Sequence, residues 1–120
     1  SGRGHYCMSQ KKNHEVAVMG EEVARMAREH GVTCIVDIGS GKGYLAHELA
    51  ARHGLRVVGV DSRPVNTEGA TRYHAKLSRE QASQAKRTGG SFRPVTAFMG
   101  PEQARDFVPF LRDEGGVELT

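Results

Sequence analysis

The segment Asp37-Ile38-Gly39-Ser40-Gly41-Lys42-Gly43-Tyr44-Leu45 constrains this chain more than any other. It closes an apolar run, Cys34-Ile35-Val36-Asp37-Ile38, and opens a stretch with Leu45 and Leu49 at helical spacing. A strand that turns directly into a helix needs backbone able to bend sharply. Glycines at alternate positions allow this and leave no Cβ between backbone and ligand. The helix start adds unpaired N–H donors and a positive dipole end. Asp61 ends a second apolar run, Arg56-Val57-Val58-Gly59-Val60-Asp61, 20 residues after Gly41. A carboxylate there can accept both hydroxyls of a ribose. An ordinary turn would explain the glycines, but not their agreement with strand, helix and distant acid. The pattern describes a nucleoside-containing ligand lying across the carboxyl ends of two adjacent strands.

Continuous rather than alternating apolarity predicts strands covered on both faces, as in a parallel α/β sheet. Val16, Met19, Val23, Met26 and Ala27 form a helical stripe, with Asn13 as a cap and Gly31 as the stop. Gly54 closes the helix of Leu45 and Leu49. A third helix is expected from Asn66 or Thr67 to about Arg87, stopped by Gly89-Gly90. Arg93 to Met99 reads as a third strand, and Pro101 suits the first turn of a fourth helix, interrupted by Pro109. Val117 to Thr120 looks like a further strand beginning. Strand–helix alternation with short connections means right-handed crossovers and a parallel sheet. With 120 residues the chain is one domain. A net charge of only +3 argues against disorder.

Two phosphate-binding loops fail the pattern. A P-loop requires four residues between its glycines and Ser or Thr after the lysine, whereas Gly43 follows Lys42. A dinucleotide fold wants glycine where Tyr44 stands, and Tyr44 would crowd a pyrophosphate. The observed Asp-x-Gly-x-Gly-x-Gly resembles the first motif of the S-adenosylmethionine-dependent methyltransferases. That resemblance implies S-adenosylmethionine as cofactor and a loop of Gly39, Gly41 and Gly43 against its amino-acid part. Ser40, Lys42, Tyr44 and Leu45 belong to the same site. It implies further that Asp37 supports the methionine amino group and that Asp61, followed by Ser62, takes the ribose.

Met8-Ser9-Gln10-Lys11-Lys12-Asn13-His14-Glu15-Val16 is a second block. With the glycine loop and Val57 to Ser62 it closely resembles the methyltransferase-like protein twenty-five family, over residues 6–77. The resemblance implies a Rossmann-like methyltransferase fold, here its N-terminal, cofactor-binding half. About three parallel strands in the order 3-2-1, flanked by helices, make one partial domain. It places His14 among the cofactor-binding residues, to orient a carboxylate or act as a base near neutral pH. Lys11 or Lys12 would attract an anionic substrate. A solvated, capped helix start is the plain alternative for these residues, with Glu15 favoured by the dipole.

The methyl acceptor (RNA, protein or small molecule) and the catalytic residues are not assigned by the sequence. An Asn/Asp-Pro-Pro-aromatic tetrapeptide is absent. The third strand ends at Met99-Gly100 without the acid that often reads the adenine amino group in the enzymes it resembles, so the resemblance implies adenine recognition by backbone groups or by apolar packing, with Phe98 or Met99 as candidates. The rival function is a non-catalytic Rossmann-like module that binds RNA or a protein partner. The Cys34–Ile38 strand has an open edge, which predicts self-association or pairing with Val117–Leu119.

The remaining features read plainly. Arg72, Lys76, Arg79, Lys86, Arg87 and Arg93 form a solvated outer face, without the interleaved aromatics that stack bases. His5, His30, His47, His53 and His74 have no metal-ligand spacing and are expected at surfaces or helix ends. Met19 and Met26 are expected in the core, with Phe107, Phe110 and Leu111 covering the sheet. Cys7 and Cys34 make no disulfide framework, which with the absence of an apolar signal core predicts an intracellular protein. No apolar run approaches the roughly 18 residues of a membrane span.

Overall fold

The computed structural model describes residues 10–76, 79–106 and 108–109. Its elements are α1 (Gln10–Glu29), β1 (Cys34–Ile38), α2 (Tyr44–His53), β2 (Arg56–Asp61), α3 (Pro64–Ala75), α4 (Arg79–Thr88), β3 (Ser91–Thr96) and α5 (Pro101–Arg105). The strands form one parallel sheet with β2 in the middle, which is the expected 3-2-1 order. Register places Ile38 opposite Val60, and Asp61 opposite Thr96. All three strands therefore deliver their carboxyl ends to the same end of the sheet.

Side-chain alternation builds the core. Ile35, Val57 and Phe92 face α2 and α3 and pack with Leu49, Ala46 and Ala70. Val58, Val60 and Val95 point to the opposite face, with Val36 beside them. As its continuous apolarity predicts, β2 is buried from Val57 through Asp61. Among the described residues β1 pairs only with β2, and the expected partner Val117–Leu119 lies outside them. Phe107, Phe110 and Leu111 lie outside them too. No described helix is long and apolar enough to cross a membrane.

Four local expectations are corrected. Gln10 is already helical, so Asn13 sits inside α1 instead of capping it. Gln10, Lys11 and Lys12 are good helix formers. The buried stripe of α1 is Val16, Gly20, Ala24 and Ala27, and Met19 and Met26 are 54% and 45% exposed. The cause is close approach: α1 packs on α2 through its small residues, and a Cβ at Gly20 would come within 2.9 Å of Glu48 Cγ. The expected third helix is two helices, because α3 packs on β2 and β3 whereas α4 packs on α2. One straight rod cannot do both. It also begins earlier, with Pro64 in its first turn, where proline's fixed φ suits a helix. The third strand is shifted to Ser91–Thr96, with Pro94 in an edge strand, where proline is tolerated. Pro101 opens α5 as expected, but α5 ends at Arg105, before Pro109.

His47 is a fifth correction, since it is 6% exposed within α2. Its Nδ1 lies 3.0 Å from Nδ1 of the half-buried His74 on α3. Tyr73 and Phe92 close the cluster edge-on, at ring distances of 4.9 Å to His47 and 5.4 Å to His74. One ring must donate and the other accept, so doubly protonated rings cannot share this contact. Burial, and then the neighbouring His74, push His47 down to about 4. Burial lowers His74 as well.

Two predictions follow from this packing. An alanine at Gly43 would need φ near +76° and would bring its Cβ within 2.7 Å of the Phe92 ring. Gly43→Ala is expected to destabilise the fold by ~2–4 kcal/mol in urea unfolding. The unfolded chain binds protons near pH 6.5 that folded His47 accepts only near 4. Stability is then undiminished above about pH 6.5 and declines as pH falls toward 4. Between about pH 7.5 and 4.5 the wild type should lose ~2–3 kcal/mol more than His47→Leu does.

Candidate functional site

The turn from β1 into α2 folds back on the carboxyl end of β2. The Gly39 and Ser40 amides both donate to the Val60 carbonyl, at 2.7 and 3.1 Å. The Gly41 amide donates to Asp61 Oδ2 at 2.9 Å, and the Gly43 amide to the Ser40 carbonyl at 3.0 Å. Gly39, Gly41 and Gly43 all have positive φ, the conformation glycine adopts without a Cβ penalty. A Cβ on Gly39 would meet nothing within 4 Å, so the loop's outer surface is open there.

Asp61 is the most heavily bonded group of the site. Oδ1 accepts from the Arg63 amide at 2.9 Å and from Asn66 Nδ2 at 3.1 Å, while Oδ2 holds Gly41. The Arg63 amide leads in holding its pKa below the usual carboxylate range, aided by Asn66 and Gly41 and opposed by burial. The side chain therefore stays charged at neutral pH. Asp37 behaves oppositely, because burial raises its pKa. The two carboxylates near the ends of adjacent strands are thus shifted in opposite directions.

The predicted residues fall into two hollows that meet at Gly39. The first, about 420 Å³, is lined by Asp37, Gly39, Ser40, Gly41, Lys42, Gly43, Tyr44 and Leu45. The second, about 200 Å³, joins Gly39, Asp61 and Ser62 to Ile38, Val60, Ala97, Phe98 and Met99. Phe98 is 70% exposed at its rim. The structure does not bring His14 to either hollow. It lines a neighbouring groove with Val18 and Glu22, and that groove shares Glu15 and Met19 with the first hollow. On a helix that already begins at Gln10, positions 14, 18 and 22 form one stripe and 12, 15, 16 and 19 another. The second stripe, Lys12, Glu15, Val16 and Met19, is the one that walls the first hollow. Val16 and Met19 were not legible as site residues, although their i, i+4 spacing from Lys12 and Glu15 would have grouped them.

Residues 11–106 match the family model described as a methyltransferase domain. Over 72 residues, 60% of this chain, the sequence is 43% identical to the human "Probable methyltransferase-like protein 25". The mouse protein of the same name is 44% identical over the same length. The aligned segment spans 12% of the length of either relative. Among solved structures, the methyltransferase domain of bacterial CtHen1-C is similar over 70% of this chain and 43% of that one, at 18% identity and a TM-score of 0.46. The family model covers most of the chain, including the loop, Asp61 and both hollows, and the chain belongs to the methyltransferase domain family.

Proposed function

We propose that this chain binds S-adenosylmethionine and is the donor-binding part of a methyltransferase. One observation carries the choice of ligand. Four loop amides, those of Gly39, Ser40, Gly41 and Gly43, are already taken, by the Val60 carbonyl, by Asp61 and by the Ser40 carbonyl. A negative Asp61 carboxylate sits where a phosphate-binding loop needs free donors. The ligand that fits is a nucleoside without phosphate.

The residues suit that ligand in their chemistry. An ionised carboxylate offers about four acceptor sites. The chain fills three of these on Asp61, which leaves capacity for a ribose hydroxyl. Ile38, Val60, Phe98 and Met99 give an apolar hollow for a base. Asp37 and the glycine loop line the larger hollow for the amino-acid end. S-adenosylmethionine supplies, when bound, a methyl group on a sulfonium, open to in-line displacement by a nucleophile. The chain's own part is positioning, which is what such a displacement chiefly needs. Asp61 fixes the ribose and, through Gly41, the loop. Gly39 lets the ligand pass over the backbone from one hollow to the other. Asp37, half-buried beside them, faces an ammonium group.

Calorimetric titration tests this with S-adenosylmethionine, S-adenosylhomocysteine and NAD. The first two should bind and NAD should not. Asp61→Ala should weaken S-adenosylhomocysteine at least about tenfold. NAD binding as tightly as S-adenosylhomocysteine, or Asp61→Ala leaving affinity intact, would refute the proposal. Gly39→Ala offers a cleaner separation of binding from folding. It should destabilise the fold by only ~1–2 kcal/mol, the strain of positive φ. Its methyl group would stand where the two hollows meet, so binding should fall far more than stability.

A further inference from the structure

The wall of the larger hollow opposite the glycine loop is one face of α1. Lys12, Glu15, Val16 and Met19 follow the i, i+3, i+4, i+7 spacing of a single helical stripe. The stripe has an order: a cation, then a carboxylate, then two apolar side chains. Across the hollow lie Asp37, Lys42 and the loop, with Tyr44 and Leu45 at the start of α2. Met19 is 54% exposed, although it is a large apolar side chain facing a concave surface. A hollow lined by both signs of charge and by apolar side chains matches an amino-acid zwitterion on a short aliphatic chain. Neither a plain anion nor a plain cation uses Lys12 together with Glu15 and Asp37.

Resting on the donor-binding role proposed above, we infer that α1 reads the amino-acid end of the ligand. Lys12 holds the α-carboxylate, Glu15 shares the α-ammonium with Asp37, and Val16 and Met19 cover the methylenes leading to sulfur. The helix preceding the loop is then a specificity element for ligands that keep an intact amino-acid end. His14, one stripe away on the same helix, takes no part in this contact.

Two probes separate the ends of the ligand: S-adenosylhomocysteine, and 5′-methylthioadenosine, which has the nucleoside and sulfur but no amino-acid end. Both are titrated into the full chain by calorimetry. The wild type should bind S-adenosylhomocysteine at least about tenfold more tightly. Lys12→Gln should abolish most of that preference and leave 5′-methylthioadenosine within about twofold. Glu15→Gln should act in the same direction. Arg28→Gln removes an equal charge from the far end of the same helix, outside the hollow, and should change neither affinity. Glutamine, lysine and arginine have similar helix propensity, so far-UV circular dichroism should show α1 intact in these variants. Equal wild-type affinity for the two probes overturns the inference and leaves donor binding standing. Lys12→Gln weakening both probes alike, or Arg28→Gln matching Lys12→Gln, overturns it as well. A folded wild type that binds neither probe removes the donor-binding role, and this inference with it.

Discussion

A single carboxylate ties the site together. Asp61 takes the Gly41 amide from the β1–α2 turn, the Arg63 amide from the β2–α3 turn and the amide group of Asn66 from α3. The glycine loop, 20 residues away in sequence, and the turn and helix that directly follow Asp61 converge on its two oxygen atoms. Hydrogen bonds to a charged acceptor are about twice as strong as neutral ones, and these keep Asp61 ionised. The same bonds set the direction of the loop's donors. The Gly39, Ser40, Gly41 and Gly43 amides turn inward, to the strand end, to Asp61 and to the loop's own Ser40 carbonyl. The orientation of these four donors is therefore a by-product of how the loop is fixed to the sheet.

Much of this was legible in the sequence, for identifiable reasons. Two continuous apolar runs ending in Asp-Ile-Gly and Val-Asp fix β1 and β2 to the residue, because parallel strands buried on both faces have no other pattern. The loop was legible because positive φ at alternate positions needs glycine. The rest turned on packing between elements, which no local pattern encodes. The stripe of Val16, Met19, Val23, Met26 and Ala27 is the larger and more apolar one. Close contact between α1 and α2 keeps Val16 and Ala27, with Val23 partly buried beside the core, but takes the small Gly20 and Ala24 where Met19 and Met26 were expected. The break after Ala75 reflects the separate surfaces on which α3 and α4 sit. His47 was unreadable for the same reason: a histidine is a core residue only where a partner such as His74 satisfies its ring nitrogen.

Gly39 and Gly43 show how a short loop separates two demands. Both have positive φ. At Gly43 the missing Cβ is room for the Phe92 ring, which packs through His74 and Tyr73 into the core. At Gly39 the missing Cβ is room for nothing in the protein. Gly43 serves folding, Gly39 leaves the loop's outer surface open, and three residues lie between them. The backbone turn that separates them lets the sheet-facing side be close-packed while the outer side stays open.

The same division governs α1. It is held to α2 by Val16, Gly20, Ala24 and Ala27, side chains that bury little area, and burial contributes only ~25 cal/mol per Å². Its larger apolar side chains, Val18, Met19 and Met26, stay exposed. A helix anchored through small residues gains little stability from the core and has more to gain from whatever occupies the hollow it walls. Ligand binding stabilises the conformation that binds it, so under the proposed donor-binding role an occupant of the hollow would add contacts at the exposed Met19 to those that the buried Val16 already makes. Order in the helix and occupancy of the hollow would then be thermodynamically linked. The exposed Met19 on the wall contributes little to the fold itself, and under that role its burial would belong to the free energy of binding.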